Sequence, residues 1–235
     1  MGATVQSLDR GLLIMRLLAE HRTMTATAIA AELGIHQSTA SRLLNSLHAA
    51  GFVRKPDYHS FSLDWDALVF AGQAIDCFPA MNTAARVCNR ITSQTGLQAT
   101  VALLHGGHIL YLTRTNPDSS LVLVNNSDYP IHDSSVGLAL VCEQDAKRAI
   151  PILKASMGGN GAVALYRRSA EQLKTFGYIR MARRRGLNIA MPFYLSEERA
   201  ALAIFSDEID STSIDPVFIL RSGVGELSGL ATVED

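Results

Sequence analysis

His36, Gln37, Ser38, Thr39, Ser41 and Arg42 crowd the first turns of one predicted helix, short hydrogen-bonding groups at its start and a cation one turn on. That set suits nucleic acid. Free backbone N–H groups at a helix N-terminus take phosphate oxygens, and polar side chains of this kind reach base edges. What positions them is legible in the stretch 25–44, TATAIAAELGIHQSTASRLL, which reads as a helix-turn-helix opened by Thr25. Ala30 is a small residue where two helices cross closely, and Gly34, four residues on, can take the positive φ of the turn. Ile29 and Leu33 line the apolar side of the first helix, and Ala40, Leu43, Leu44 and Leu47 continue it on the second. The helix-turn-helix predicts DNA binding.

Three other groups of residues have chemical potential. His132, Asp133, Ser134 and Ser135 carry the residue types of hydrolytic machinery, but triads are assembled in space and sequence neighbours seldom face one another productively. No G-x-S-x-G, P-loop or H-E-x-x-H occurs, so an enzyme is not expected, and Ser134 is better used as a helix cap. His105 and His108 flank a Gly-Gly turn without a third ligand, so neither a metal nor any other cofactor is expected. Cys77, Cys88 and Cys142 lie far apart in apolar contexts and read as buried small hydrophobes in a reducing, cytoplasmic setting.

The 235 residues have room for two domains. Lys and Arg number six against four Asp and Glu through residue 60, and 15 against 18 after it. The asymmetry fits an N-terminal DNA-binding unit on an acidic companion, and its small size calls for a dimer that doubles the phosphate contacts. No apolar run reaches the length of a membrane span and the amino terminus lacks a signal-peptide stretch, so no membrane partner is expected.

Leu8, Leu12, Met15 and Leu18 or Ala19 predict a first helix packed by that stripe, and Gly51 is placed as the residue that ends the recognition helix. FVRKPDYHSFSL then alternates around a Pro-Asp turn: a wing, with Arg54, Lys55, Tyr58 and His59 near its tip for phosphate contact. Asp64 caps a linker helix whose Trp65 is expected to pack on the winged domain, and which Pro79 stops. Beyond it the pattern predicts a helix over 82–95, strands at 98–104, 108–114 and 121–125, a helix from Asp133 or Ser134, and another over 145–156. A helix over 170–185 with a Ser169-x-x-Gln172 capping box, strands at 187–195 and 200–206, and a last helix after Asp215-Pro216 complete the chain. The arginines of 180–185 read as a solvated helix end. The fold class is α+β: a winged helix-turn-helix over 1–64, a linker helix over 65–79, and a domain with an antiparallel sheet over 80–235.

SLDRGLLIMRLLAEH, LGIHQSTASRLLNSLHAAGFV and YPIHDSSVGLAL together resemble the IclR family of bacterial transcription regulators, strongly through residue 64 and more loosely afterwards. The resemblance implies a GAF/PAS-like effector-binding domain, a small organic acid or aromatic effector, and dimers or tetramers on a pseudo-palindromic operator. The implied role is a ligand-responsive regulator, with repression of a catabolic operon as the expected mode. An architectural DNA binder without an effector is the competing reading. Alignment with the family implies an effector site of Ser135, Val136 and Gly137 at a helix N-terminus, Pro192, Ala203 and Phe205 on a facing strand wall, and Tyr111 at the rim. Leu138 stands where the family usually has lysine, an acidic loop before Leu187 is missing, and Ala203 and Phe205 replace two frequent serines. These departures predict a pocket that is smaller, more apolar or differently closed, and a mainly apolar ligand with one polar end, such as an aromatic acid or its amide.

Overall fold

The computed structural model describes residues 5–116, 121–127, 129–181, 186–195, 197–206 and 215–229. The chain divides into two compact units, Met1–Phe78 and Pro79–Asp235.

In the first unit, α1 (Gln6–His21), α2 (Ala26–Glu32) and α3 (Gln37–Ala49) enclose a core of Ile14, Leu18, Ile29, Ala30, Ala40 and Leu44. Val53 and Phe61 close it from below. Gly34 turns α2 into α3 with φ +60, a conformation that a side chain would strain. A three-stranded sheet of order β1-β3-β2 forms the wing, from β1 (Met24–Thr25), β2 (Val53–Arg54) and β3 (Ser60–Leu63). The stripe expected on α1 is out of phase. Ile14 and Leu18 are buried, whereas Leu8 and Leu12 stay exposed, because α1 meets α3 and β3 through its C-terminal half. With apolar residues at 12, 13, 14, 15, 17 and 18, periodicity does not fix which side turns inward.

Asp64 caps α4 (Trp65–Asp76) through Trp65 N, at 2.9 Å. Trp65 does not pack on the winged domain as expected; it is 73% exposed, and α4 buries no residue. Cys77, expected in a core, is also exposed. Pro79 does not merely stop α4. It opens α5 (Pro79–Thr95), where its fixed φ and missing N–H suit a first turn.

The second unit is built on a six-stranded antiparallel sheet of order β6-β5-β4-β9-β8-β7. Its strands are β4 (Gln98–His105), β5 (His108–Thr115), β6 (Leu121–Ser127), β7 (Ile179–Arg180), β8 (Leu187–Leu195) and β9 (Glu198–Ser206). One face carries α5 and α9 (Pro216–Ser228), the latter capped by Asp215 through Val217 N. The other face packs on α6 (Ser135–Cys142), every residue of which is buried, with α7 (Ala146–Met157) and α8 (Ala162–Phe176) behind it. The helix expected over 170–185 is displaced toward the N-terminus. It spans 162–176 and ends at Gly177 with φ +81, after which Ile179–Arg180 is a strand on β8. Ser169 therefore lies inside the helix, buried, rather than at its cap. Arg183, Arg184 and Arg185 lie outside the described residues.

Candidate functional site

α3 begins at His36, whose carbonyl takes the N–H groups of Thr39 and Ala40 and whose side chain makes no cap bond. The N–H groups of Gln37 and Ser38 are left for an outside acceptor beside the side chains of His36, Gln37, Ser38 and Arg42, all exposed, and Thr39 and Ser41, half-buried. Thr25 caps α2, its hydroxyl accepting from Ala28 N at 3.1 Å.

At the wing, Arg54, Lys55 and His59 are exposed. Arg54 Nε donates to Ser62 Oγ at 3.2 Å, and Lys55 Nζ lies 5.1 Å from the Phe61 ring centre, so both stems are braced along β3. The one acid of the tip is turned to the backbone. Asp57 accepts from the Ser60 hydroxyl and from the N–H groups of His59 and Ser60, which hold its carboxyl below the usual range. A fixed internal acid leaves the neighbouring cations available to phosphate.

The second unit contains a cavity of about 460 Å³ between the sheet and the start of α6. Tyr111, Ser135, Val136, Ala203 and Phe205 line it. Gly137 and Pro192, expected beside them, do not. A Cβ on Gly137 would lie 2.5 Å from Ile131 O, so its close backbone approach is to this chain's own turn rather than to a ligand. Pro192 pairs with Ala201, further along β8 than the cavity reaches.

Sequence reasoning missed Gln98, Thr100, Arg114 and Asn188, all in the lining. Strand register brings them together: Phe205 pairs with both Gln98 and Asn188, and Thr100 pairs with both Arg114 and Ala203. Of the alternatives expected for the pocket, a more apolar lining is not what the described residues form, since polar side chains share the walls with Val136, Leu187, Ala203 and Phe205. Among the described residues the lining holds one cation and no carboxylate. The Arg114 guanidinium lies 4.9 Å from the centre of the Phe205 ring, and the Ser135 hydroxyl donates to Asn188 Oδ1.

The four residues with hydrolytic potential are each engaged elsewhere. His132 Nδ1 is 2.9 Å from Ser156 Oγ, Asp133 accepts from the Tyr129 hydroxyl at 3.0 Å, and Ser134 caps Gly137 N at 3.1 Å. Among the described residues no group of three His, Cys, Asp or Glu could hold a metal, and no helix is long and apolar enough to cross a membrane.

A winged helix-turn-helix followed by a cavity-bearing antiparallel sheet domain defines a two-module architecture. Residues 7–57 match the IclR helix-turn-helix domain. It is 29% identical over 141 residues to a glycerol operon regulatory protein of Streptomyces griseus, a match that spans 58% of this chain and 56% of the relative. The same fold runs through an IclR homologue of Microbacterium hydrocarbonoxydans solved with 4-hydroxybenzoate, at a TM-score of 0.75 and 18% identity over 96% of this chain and 98% of that one. An IclR family transcriptional regulator of Brucella abortus has a TM-score of 0.73 and 18% identity, over 97% of this chain and 92% of that one. The Streptomyces and Brucella relatives are named as regulators.

Proposed function

We propose that the chain is a ligand-responsive, sequence-specific DNA-binding transcription regulator acting in the cytoplasm. The observation that carries the reading is the pairing of an exposed polar helix start beside a basic wing with a ligand-sized cavity in a separate unit. Thr25, His36, Gln37, Ser38, Thr39, Ser41 and Arg42 serve the major groove and its flanking phosphates, and Arg54, Lys55 and His59 take phosphate from the wing. A small organic molecule in the cavity biases the affinity for DNA, as a coupling between two sites. One winged helix offers little surface for tight specific binding, so two copies engage a pseudo-palindromic operator, as a dimer or a dimer of dimers. Repression of a catabolic operon is the mode proposed. The relative named for a glycerol operon favours regulation of one operon over an architectural role.

The test is a thermal-shift screen of aromatic and aliphatic acids and amides, 4-hydroxybenzoate among them, followed by mobility shift on DNA upstream of the chain's own gene. Saturable binding that changes DNA affinity supports the reading. DNA binding that no small molecule alters returns the architectural reading, and no specific DNA binding overturns both.

A further inference from the structure

The proposed reading leaves open which end of a ligand faces which wall of the cavity, and the inference here rests on that reading and deepens it. A helix N-terminus is the usual place to look for an anion, and the start of α6 points at the cavity. That end is partly supplied: Ser134 Oγ accepts from Gly137 N and Ser134 O takes Leu138 N, which leaves the Ser135 and Val136 N–H groups for an acceptor. The full charge lies on the opposite wall. Arg114 projects from β5 into the cavity and forms no ion pair among the described residues.

Phe205 gives that cation its geometry. The guanidinium carbon lies 4.9 Å from the ring centre, within cation–π reach, and its planar fork of N–H donors suits a carboxylate. At the other end Asn188 is nine-tenths buried. Its Oδ1 is committed to the Ser135 hydroxyl, and its amide N–H groups have no protein partner in the described residues. An amide donor facing the cavity suits a ligand acceptor.

We propose that Arg114, seated on Phe205, is the charge-reading residue of the cavity. The effector is a planar anion bound with its acid group on Arg114 and its uncharged end against Ser135 and Asn188 at α6. A neutral amide of the same shape loses the charge-assisted bonds. A cationic ligand meets Arg114 with no carboxylate among the described lining residues to offset it.

The test uses the full-length protein and matched probes, benzoate with benzamide and phenylacetate with phenylacetamide, read by calorimetry and thermal shift without DNA. The proposal expects each acid to bind and its amide to bind at least about tenfold more weakly. Arg114→Gln should remove that preference, Arg114→Lys should restore part of it, and Asn188→Ala should weaken acid and amide alike. Arg114 is exposed, so the melting temperature of the two free Arg114 variants should match the parent and separate recognition from folding. Amides that bind as well as acids overturn the proposal. So do acids that bind Arg114→Gln with parental affinity, a preference lost only in Asn188→Ala, or no binding of any acid at millimolar concentration. Because the readout omits DNA, the proposal can fail while the regulator reading stands, and the reverse.

Discussion

Tyr111 and Arg114 stand three residues apart on β5 and yet line the same cavity. Regular alternation would send them to opposite faces of the sheet. The register explains it: Tyr111 pairs with Ala102 and Thr113 with Val101, so Leu112 is an extra residue with no counterpart on β4. The resulting bulge shifts the strand by one position and turns Arg114 to the α6 side. Thr115, beyond the bulge, bonds Thr92 of α5 on the opposite face.

Val136→Trp follows from the cavity's other wall. Val136 is buried at the start of α6 and lines the cavity. An indole there should occupy the ligand's space, abolishing the response to effector while DNA affinity without effector is kept. Mobility shift with and without effector reads both quantities in one titration. A variant that still responds with parental affinity would place the ligand elsewhere.

Arg42→Ala tests the recognition helix. Arg42 is exposed, one turn into α3, with no ion pair among the described residues. Its loss should weaken operator binding by roughly 1–3 kcal/mol if it meets a base or a well-placed phosphate. Thermal stability should hardly change, because a solvated cation contributes little to it. Unaltered operator affinity in the folded variant would take this face of α3 off the DNA.

The helix-turn-helix is legible in the sequence because its determinants are local: Ala30, Gly34 with φ +60, and an apolar side shared by α2 and α3. The Asp64 and Asp215 caps are legible for the same reason. What stays hidden depends on distant parts of the chain. Asn188 reads as an ordinary strand residue until register sets it beside Phe205, and Arg114 is masked by a bulge that no residue type announces. α8 ends early because Gly177 takes the left-handed conformation and the next residues pair with β8, a tertiary choice that outweighs the helical propensity beyond it. The phase of α1 fails through excess of signal, since apolar residues surround it.

The three cysteines should differ sharply in reactivity. Burial pushes the Cys88 thiol up to about 12 and Cys142 up to about 11, while Cys77 is exposed at the end of α4. A thiol reagent at neutral pH should therefore label one equivalent in the native protein and two more only after unfolding. Because the folded pKa values lie above the ordinary 9.0, burial of the neutral thiols stabilises the fold fully below that value. That contribution should fade as pH rises through 9 toward the raised values. Three equivalents reacting at one rate in native buffer would contradict this burial.

Assembly is the remaining prediction, and α4 is its focus. Trp65, Leu68, Val69 and Phe70 are 73%, 63%, 55% and 61% exposed on a helix that buries no residue in its own chain. Phe70 makes one edge contact with Phe52, and the others project from the helix largely solvent-exposed. So many large apolar groups on three turns of helix mark an association surface, and a second copy of the chain is the partner that a two-fold operator needs. Light scattering at micromolar concentration should therefore report at least a dimer. Leu68→Glu, which alters an exposed position, should keep the circular dichroism spectrum while shifting the protein toward monomer and weakening operator binding. A parental chain that is monomeric both alone and on DNA would remove α4 from any interface between copies.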